Sequence, residues 1–558
     1  MSSAYCHRIL DGLWAAGVRD MVVTPGSRST PLLLAALNSK LRLHSIIDER
    51  SAAFFALGRA RAQGSKVALL CTSGSAGAHY LPALLEARYA EHCLVALTAD
   101  RPPELQGTGA NQTIDQRMLF AAACPPCVEI PVPEASNAAE LRAGQRVYEA
   151  VALATGPLHI NLAFRKPLEH GANEAVPQPC EWPAVQLPTN EIADDVLEEL
   201  SEACAATNRG LIVCGPLADA KLAAEICDLA RALGFPLLAE STSGARFVGA
   251  LQEERVDSFT HILGTPALAD FLAPELILQF GTDPASGPLL RWLEAATARR
   301  VRFTGNKQLR APSERVEVLH GNARRACQIL LRQATQPGSK EYLEAWRRAE
   351  QVCWEAVAKE LARETTELSE ALAIATVLKT LAKDTQLTLG NSLPIRTVDA
   401  VLPGEAARLR VLHQRGTSGI EGLIAGAIGS CEAGRNALLL GDVSCTHDLS
   451  SLALHRLADG PLVIIVIDNG GGKIFSHLPV ATLGLEADKW RFWETPPQVN
   501  FELACQAWGV AYRTCDRVAD LKSALDWAGE LHTVSMVHVR VAPESMREFL
   551  SNVRGALA

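Results

Sequence analysis

Short apolar runs alternate with amphipathic stretches along most of this chain. An unbroken aliphatic run that ends at Gly, Asp or Pro is typical of a buried strand in a parallel sheet, whereas apolar residues three to four positions apart predict a helix. Repeated alternation of the two favours α/β domains with right-handed crossovers. We therefore predict an α/β protein of three domains, each with a parallel sheet flanked by helices.

The first predicted domain spans residues 1–175. Its apolar runs predict strands at Met21–Thr24, Leu43–Ile47, Val67–Thr72, Cys93–Thr98 and Pro157–Leu162. Helical spacing lies between these strands, as at Ser51–Ala62 and Leu81–Ala90. Residues 169–188 contain four prolines and no periodicity, which predicts a linker.

The second and third predicted domains span residues 185–338 and 341–558. Strands of the second are predicted at Leu211–Cys214, Pro236–Ala239, Leu276–Phe280 and Val301–Thr304. The third opens with helical patterns at Glu341–Ala362 and Thr366–Leu381 and has a further helix at Ile420–Ile428. Its strands are predicted at Gln386–Leu389, Leu438–Leu440, Pro461–Ile467 and Met536–Val541.

Composition narrows the class of partner. The 558 residues carry a net charge of −9 and no block rich in Lys or Arg, which argues against nucleic acid and anionic membranes. The longest aliphatic run, Leu462–Ile467, is too short to span a membrane, and the N-terminus has the pattern of an amphipathic helix rather than a signal peptide. Fifteen cysteines without framework spacing indicate buried thiols in a reducing compartment, so we expect a cytoplasmic protein.

Oxygen-bearing residues follow two neighbouring apolar runs near the C-terminus. Asp442 comes after Leu438–Leu440, and Asn469, followed by three glycines, comes after Pro461–Ile467. Because parallel strands end at the same edge of a sheet, these side chains should lie close together. Carboxylate, amide and carbonyl oxygens suit Mg2+ (or Mn2+), and the glycines would admit a diphosphate. The alternative is two ordinary turns at strand ends.

Two further positions combine an unusual side chain with a helix start. Glu49 precedes the apolar stretch SAAFFALG, so it is either a carboxylate favoured by the helix dipole or a catalytic carboxyl in an apolar cleft. Ile420 is either a core residue or an apolar wedge against a bound cofactor. His447 and Asp448 could suggest a metal hydrolase, but they have no second His/Asp cluster at ligand spacing and lie at a predicted helix start, where Asp is expected.

Arginines stand beside Gly, Ser or Thr in the predicted loops at strand ends. Arg28, Arg396 and Arg415 could grip carboxylates bidentately, although surface arginines are often merely solvated. Asn111 and Gln112 could hydrogen-bond polar groups of a substrate. An acidic chain that binds an anionic substrate needs such a local cluster of arginines.

Nine ordered motifs carry a resemblance to one family. They are TPGSRSTPL, DERSAAFFALGRAR, TSGSAG, LTADRPPEL, GANQTIDQ, GNSLPIR, RGTSGIEG, GDVSCTHDLSSL and IDNGGGKIF. Together they closely resemble the MenD family of thiamine diphosphate enzymes, the 2-succinyl-5-enolpyruvyl-6-hydroxy-3-cyclohexene-1-carboxylate synthases. The spacing of Asp442 and Asn469 is similar to the metal–diphosphate motif of thiamine diphosphate enzymes.

The resemblance implies a thiamine diphosphate-binding fold with a pyrimidine-binding domain, a central domain and a diphosphate-binding domain. It implies decarboxylation of 2-oxoglutarate and addition of the succinyl-semialdehyde carbanion to isochorismate in a 1,4-addition, in menaquinone or phylloquinone biosynthesis. It also implies a homodimer or dimer of dimers, with the cofactor between the first domain of one chain and the third domain of its partner.

By similarity, individual residues acquire expected roles. Glu49 is the catalytic carboxylate, which activates the aminopyrimidine of the cofactor. The implied metal ligands are Asp442, Asn469 and the carbonyl of Gly471. The implied cofactor contacts are Ile420, Gly441, Asp442, Val443, Ser444, Asn469, Gly471, Gly472, Ile474 and Phe475. The implied substrate contacts are Ser27, Arg28, Asn111, Gln112, Ser392, Arg396 and Arg415.

One motif of the sequence differs from the family pattern, and two alternative functions stay open. Gly287-Pro288 stand where family members carry a Lys-Arg pair, so a cation at that rim is either missing or supplied by Arg291 or another loop. The first rival is another thiamine diphosphate enzyme, a 2-oxoacid decarboxylase or an acetohydroxyacid synthase-like activity. The second is a non-catalytic cofactor-binding subunit, which would have no need of Glu49.

Overall fold

A computed structural model describes residues 3–133, 136–169, 176–186, 191–217, 219–247, 253–307, 309–334, 338–363, 367–404 and 407–557. They contain three six-stranded sheets in which every strand pairs in parallel with its neighbours, which confirms the predicted fold class. Parts of the predicted linker 169–188 lie outside the described residues, as do residues 335–337 near the end of the predicted second domain and the first residue of the predicted helix at 366–381.

The first sheet has the strand order β2-β1-β3-β4-β6-β5. Its strands are β1 (Asp20–Val23), β2 (Arg42–Ser45), β3 (Val67–Cys71), β4 (Leu94–Asp100), β5 (Val128–Ile130) and β6 (Leu158–Ala163). Its helices are α1 (Ser3–Ala15), α2 (Thr30–Leu37), α3 (Glu49–Gln63), α4 (Leu81–Tyr89) and α5 (Asn137–Leu153). Strands β3 and β4 are buried at every position, as expected for central strands covered on both faces.

The second sheet has the order β12-β11-β10-β7-β8-β9. Its strands are β7 (Gly210–Cys214), β8 (Leu237–Ala239), β9 (Arg255–Val256), β10 (Leu276–Phe280), β11 (Arg299–Thr304) and β12 (Val316–His320). Its helices are α6 (Asp194–Ala206), α7 (Ala220–Leu233), α8 (Phe259–Ile262), α9 (Pro266–Phe271), α10 (Gly287–Ala295) and α11 (Ala323–Gln333). Two halves wind outward from the central pair β7 and β10, which is the doubly wound arrangement of many nucleotide-binding folds.

The third sheet has the order β14-β13-β15-β16-β18-β17. Its strands are β13 (Thr385–Leu389), β14 (Leu409–His413), β15 (Asn436–Gly441), β16 (Leu462–Asp468), β17 (Ala511–Cys515) and β18 (Val534–Arg540). The remaining helices are α12 (Lys340–Leu361), α13 (Glu370–Thr380), α14 (Leu393–Val401), α15 (Leu423–Ser430), α16 (Asp442–His447), α17 (Ala487–Glu494), α18 (Phe501–Trp508), α19 (Val518–Glu530) and α20 (Ser545–Leu557).

Five strands were not predicted: β5, β9, β12, β14 and β17. Each of them lies at the edge of its sheet. Four are only partly buried, and the fifth has two residues, so none carries a long unbroken apolar run. The central strands were predicted to within a few residues because both of their faces are covered.

The long helix α12 contacts two hydrophobic cores. Tyr342, Trp346 and Cys353 pack into the core on one face of the second sheet, whereas Val357 packs into the core of the third. We predicted this helix to open the third domain, and its first half instead covers the second sheet. The domain boundaries themselves stay a prediction.

The described residues form two compact units. One joins the chain up to residue 188 with Gln414–Glu432 and His447–Asp459, and the other holds the second and third sheets. In the first unit, α3 and α15 cross at glycines. A β-carbon on Gly58 would lie 2.0 Å from the carbonyl oxygen of Gly426, and one on Gly429 would lie 2.1 Å from that of Phe55. The two backbones are therefore in direct contact.

No helix in the described ranges is both long enough and apolar enough to cross a membrane.

Candidate active site

Glu49 is the first residue of α3, directly after the turn that follows β2. Asp48 caps the helix, because its side chain accepts a hydrogen bond from the Ser51 backbone N–H at 3.1 Å. Glu49 is half-buried in the wall of a surface cavity of about 500 Å3, which is lined by Ile47, Asp48, Glu49, Arg50 and His79. Ile47 is 85% exposed.

The Glu49 carboxylate faces groups that stay protonated. Burial raises the pKa of the Cys71 thiol to about 12, and the negative charge of Glu49 adds to this shift. Burial also raises the pKa of Tyr80, with a smaller contribution from Glu49. Neither group carries a charge at neutral pH, so Glu49 is not neutralised by an ion pair on this side.

Two arginines meet at the carboxyl ends of β1 and β4. Arg28 is 6% exposed and donates from Nη1 to the Phe164 carbonyl at 2.8 Å. Burial lowers the pKa of Arg28, and the positive charge of Arg101 lowers it further. Arg101 donates to the hydroxyl of the buried Ser73. Arg101 was not singled out from the sequence, although it follows a predicted strand in the same way as Arg28.

The loop after Gly109 closes over the end of β3. Gln112 has a positive φ of +55° and donates from Nε2 to the Ser73 carbonyl at 3.0 Å. Gln116 is fully buried and accepts from the Gly74 N–H at 3.2 Å. Asn111 and Ser27 are exposed. Gln112 is therefore held by its backbone and its amide, whereas Asn111 and Ser27 are available to a ligand.

A buried glutamate organises the segment that presents Arg415 and Ile420. The Glu86 carboxylate accepts from the backbone N–H groups of Gly416 at 2.7 Å, Thr417 at 2.6 Å and Ser418 at 3.3 Å, and from the Thr417 hydroxyl at 3.0 Å. Glu86 is 3% exposed. Backbone N–H groups that converge on one carboxylate fix a loop firmly. This role could not be predicted from the sequence, because Glu86 lies within an ordinary helical pattern.

The helix after this segment begins later than predicted. It starts at Leu423 rather than Ile420, because Gly422 has a φ of +67° and its backbone packs against the Phe54 ring. Ile420 is therefore half-buried in the turn before α15. Asp448 accepts from the N–H groups of Ile424 and Ala425 at 2.8 and 3.0 Å and so caps α15. The predicted helix start at His447 and Asp448 is found one helix later than α16: α16 ends at His447, and Asp448 is the N-cap residue of the 3-10 helix Leu449–Leu457.

In the second unit, Asp442 and Asn469 lie at the carboxyl ends of β15 and β16, which are neighbouring strands. They are 2% and 7% exposed. Asp442 Oδ1 accepts from the Val443 N–H at 2.8 Å, and Asn469 Nδ2 donates to Glu370 Oε2 at 2.8 Å. Asp442 Oδ2 and Asn469 Oδ1 are buried, and no donor in the described part of the chain meets normal hydrogen-bond geometry with them. Two buried, unbonded oxygens at one rim fit a hard divalent cation.

The electrostatics of this rim support the same conclusion. Burial and, to a smaller extent, the negative charge of Asp468 raise the pKa of Asp442 to about 7, against the lowering effect of the N–H groups of Val443 and Gly471. Asp468 accepts from His538 at 2.8 Å, and His538 is hydrogen-bonded in turn to the Tyr512 hydroxyl at 2.8 Å. A cation beside Asp442 would relieve the cost of burying its charge.

The glycine loop after Asn469 is held in place by contacts with Glu494. Gly471 has a φ of +128°, and a β-carbon there would lie 2.6 Å from the Glu494 carbonyl. That carbonyl accepts from the Gly472 N–H at 2.6 Å, and Lys473 forms an ion pair with Glu494. The Gly471 carbonyl accepts from the Lys473 N–H at 2.8 Å, which leaves a second lone pair for a ligand. The half-buried Ile474 and Phe475 follow in a short 3-10 helix, Lys473–His477.

Ser392 and Arg396 lie at the start of α14, after β13. Ser392 has a φ of +73°, which is strained for a residue with a side chain and occurs mostly at functional sites. Arg396 donates from Nη1 to the Ser392 carbonyl at 2.6 Å and is half-buried. The arginine is therefore held beside the strained turn.

Gly287 and Pro288 begin α10, and the Ser286 hydroxyl caps it by accepting from the Leu289 N–H at 3.4 Å. A β-carbon at Gly287 would lie 3.2 Å from Arg291 Nη1, so the guanidinium of Arg291 lies over this turn. A cation is thus present where the Lys-Arg pair is absent.

The predicted site residues divide between the two units. The first unit holds Ser27, Arg28, Glu49, Asn111, Gln112, Arg415 and Ile420. The second holds Ser392, Arg396, Gly441, Asp442, Val443, Ser444, Asn469, Gly471, Gly472, Ile474 and Phe475. Their roles at this point stay predictions.

Two family models match the chain. Residues 5–119 match the thiamine pyrophosphate enzyme N-terminal TPP-binding domain, and residues 182–389 match the middle domain of thiamine pyrophosphate enzymes. Together with the three parallel sheets, they define the class of thiamine diphosphate-dependent enzymes.

Full-length relatives define the family within that class. A protein of Sorangium cellulosum is 38% identical, with 97% of this chain and 93% of that protein aligned; one of Geobacillus kaustophilus is 35% identical, with 99% and 97% aligned; and one of Chloroflexus aurantiacus is 37% identical, with 95% and 92% aligned. Each is named 2-succinyl-5-enolpyruvyl-6-hydroxy-3-cyclohexene-1-carboxylate synthase. The chain belongs to this family of synthases.

Proposed function

We propose that this enzyme decarboxylates 2-oxoglutarate and transfers the remaining four-carbon unit to isochorismate, in menaquinone or phylloquinone biosynthesis. The observation that carries the proposal is the near full-length similarity to synthases of that name. The arginines at the loops of both units support it independently, because both substrates are dicarboxylates and the chain as a whole is acidic.

The metal and diphosphate are proposed to bind at the second unit. Asp442, Asn469 and the Gly471 carbonyl would hold Mg2+ (or Mn2+), supported by the two unbonded oxygens of this rim. Gly441, Val443, Ser444 and Gly472 are the proposed contacts of the diphosphate, because backbone N–H groups at a helix start and a glycine loop suit phosphate oxygens. When bound, thiamine diphosphate supplies the carbon nucleophile of the reaction.

Glu49 of one chain and the partner's Ile420 are proposed to orient the organic part of the cofactor. Glu49 would hold a proton at the aminopyrimidine nitrogen, and its half-buried position among protonated groups leaves its carboxylate free for that purpose. Ile420 would wedge against the cofactor and hold it bent, and Ile474 and Phe475 of the second unit would cover it and exclude water. The Glu86 contacts support the rigidity that this wedge requires.

The substrate carboxylates are proposed to bind Arg28, Arg396 and Arg415. Ser27, Asn111, Gln112 and Ser392 would donate or accept hydrogen bonds to the remaining oxygens. A guanidinium that is already hydrogen-bonded to a backbone carbonyl, as in Arg28 and Arg396, loses little conformational freedom on binding a carboxylate.

We further propose a cytoplasmic homodimer, or a dimer of dimers, in which a second copy completes the site. The exposed Ile47 beside Glu49 supports a covering partner, because a large aliphatic side chain gains about 1.5–3 kcal/mol on burial. A reducing compartment is supported by fifteen cysteines without framework spacing.

The deciding experiment incubates purified protein with thiamine diphosphate, Mg2+ and 2-oxoglutarate, with and without isochorismate. Mass spectrometry should detect the coupled product only in the complete mixture. A parallel reaction with pyruvate in place of 2-oxoglutarate tests the first rival. Coupled product from pyruvate alone would favour an acetohydroxyacid synthase-like activity, and tight cofactor binding without any turnover would favour the non-catalytic subunit.

A further inference from the structure

A buried carboxylate lies directly behind the proposed metal site. Glu370 is the first residue of α13 and is 2% exposed. Its Oε2 accepts from Asn469 Nδ2 at 2.8 Å. Glu370 could not be singled out from the sequence, because it precedes Asn469 by 99 positions and begins an ordinary helix.

This contact determines which end of the Asn469 amide faces outward. An amide has an oxygen that can bind a cation and a nitrogen that cannot, and the two ends are nearly identical in shape. Because Glu370 takes the nitrogen, the oxygen is turned away from it, and that oxygen is the buried atom without a donor in the described chain. Without an acceptor at position 370, the amide could rotate and present its nitrogen to the metal.

Glu370 is itself held by two neighbouring helices and by the capped start of its own helix. Its backbone N–H donates to the Ser545 hydroxyl at 3.0 Å at the start of α20, and Thr397 of α14 donates to its Oε1 at 3.5 Å. Ser369 caps α13 by accepting from the Leu372 N–H at 3.2 Å. Thr397 directly follows Arg396, so the same carboxylate contacts Asn469 and the helix that carries a proposed substrate arginine.

We propose that Glu370 is a positioning residue that fixes the orientation of the Asn469 amide so that its oxygen binds the divalent cation. The inference rests on the proposed metal site. Residues that orient metal ligands usually change metal affinity by about 10–100-fold when they are replaced.

The first test measures Mg2+ affinity by calorimetric titration of cofactor-depleted protein with saturating thiamine diphosphate present. Glu370→Leu keeps the volume and removes the acceptor, and it should raise the Mg2+ dissociation constant at least tenfold. Glu370→Gln keeps an acceptor oxygen and should stay within about threefold of wild type. A Glu370→Leu protein that binds Mg2+ as tightly as wild type would overturn the inference.

Glu350→Leu is the matched control. Glu350 is a partly buried carboxylate of the second unit, and it accepts from the backbone N–H groups of Asp257 and Ser258 at 2.6 and 3.3 Å. This substitution should lower the melting temperature of cofactor-free protein without changing Mg2+ affinity. An equal loss of affinity in both Leu variants would assign the effect to general destabilisation and reject the positioning role.

A donor–acceptor exchange tests the contact even if Glu370→Leu does not fold. Asn469→Asp places a second carboxylate against Glu370 and should weaken Mg2+ binding. Adding Glu370→Gln supplies an amide that donates to the new carboxylate, so the double variant should bind Mg2+ more tightly than Asn469→Asp alone. A double variant no better than Asn469→Asp would contradict the inference.

Asp442→Ala distinguishes a failure of the proposed metal site from a failure of the proposed role of Glu370. If this variant binds Mg2+ like wild type, the proposed metal site itself is wrong. If Asp442→Ala weakens binding and Glu370→Leu does not, the metal site stands and only the role of Glu370 is lost.

Discussion

The first and third sheets share one strand order and differ in the chemistry of their loops. Numbered from the first strand of each, both run 2-1-3-4-6-5, whereas the second sheet has a different order. Glu49 follows the second strand of the first sheet, and the Arg415–Ile420 segment follows the second strand of the third. The helices after them, α3 and α15, are the pair that cross at glycines.

The loops after the third and fourth strands show the clearest difference. In the first sheet these positions carry Ser73 and Arg101, and in the third they carry Asp442 and Asn469. One sheet therefore offers hydroxyl and guanidinium groups that suit carboxylates, and the other offers oxygens that suit a cation. The shared topology determines where loops meet, and a few side chains determine what is bound there.

If the loops of the two sheets have these different roles, the largest effect of a substitution is expected on kcat, at Glu49. Glu49→Gln should lower kcat about a thousandfold, because it removes a proton-holding group, while thiamine diphosphate affinity stays within about tenfold. Steady-state kinetics and calorimetry measure the two quantities, with Glu104→Gln, an exposed acid of the same unit, as the control. Turnover within tenfold of wild type would remove Glu49 from the chemistry.

The second-largest effect is expected on Mg2+ affinity, at the rim of the third sheet. Asp442→Ala should raise the Mg2+ dissociation constant by on the order of a hundredfold, since a ligand matters at least as much as the groups that orient it. Its control is Asp516→Ala, an exposed acid after the fifth strand of the same sheet. Wild-type Mg2+ affinity in a titration of Asp442→Ala would show that the two sheets do not differ as proposed.

A smaller effect is expected at Glu86. Glu86→Gln replaces one accepting oxygen with an NH2 group that opposes the N–H groups of residues 416–418. The loss of charge-assisted hydrogen bonds should cost about 1.5–3 kcal/mol locally and raise the substrate KM about tenfold through Arg415 and Ile420. Initial-rate kinetics measure the change, and Glu149→Gln on the exposed face of α5 serves for comparison. An unaltered KM would mean that the segment holds its shape without Glu86.

The smallest effect concerns the histidines on the sixth strands. His538 is bonded to Asp468, whereas His159 of the first sheet is fully buried and bonded to the neutral Thr98 at 2.7 Å. Burial lowers the pKa of His159 to about 4 from 6.5, so the unfolded chain takes up a proton first as the pH falls. The stability contributed by neutral His159 is therefore lost between pH 6.5 and 4, by about 2 kcal/mol at pH 5.

His159→Gln keeps a donor to Thr98 and removes the titrating ring. The drop in melting temperature between pH 7 and pH 5 should therefore be smaller in this variant than in wild type. His532→Gln, at an exposed histidine, should leave that drop unchanged. Equal drops in wild type and His159→Gln would show that His159 is not a source of acid sensitivity.

The sequence predicted the parts of the molecule that depend on neighbouring residues. The buried central strands and the loops after them were predicted because an unbroken apolar run and the turn that ends it are local signals. The rim that unites Asp442 and Asn469 follows from two strands that are adjacent in both sequence and space. Edge strands such as β5 and β17 were missed because they are only partly buried and therefore carry no unbroken apolar run.

Residues whose contacts are far away in the sequence could not be predicted, because no local pattern of residues marks them. Glu86 contacts a segment 330 positions away, and Glu370 contacts Asn469 across 99 positions. Each lies in a helix whose pattern would be satisfied by many polar residues. Only the fold reveals that their carboxylates are buried and which groups they contact.

The glycine crossing of α3 and α15 has a dynamic consequence. Where two backbones meet without intervening side chains, no rotamer change can absorb a relative displacement. The helix that starts at Glu49 and the helix that follows Ile420 must therefore shift as one rigid pair. Any opening that admits a cofactor then has to come from segments outside this helix pair, and hydrogen exchange of the backbone amides would detect it there and not at the crossing.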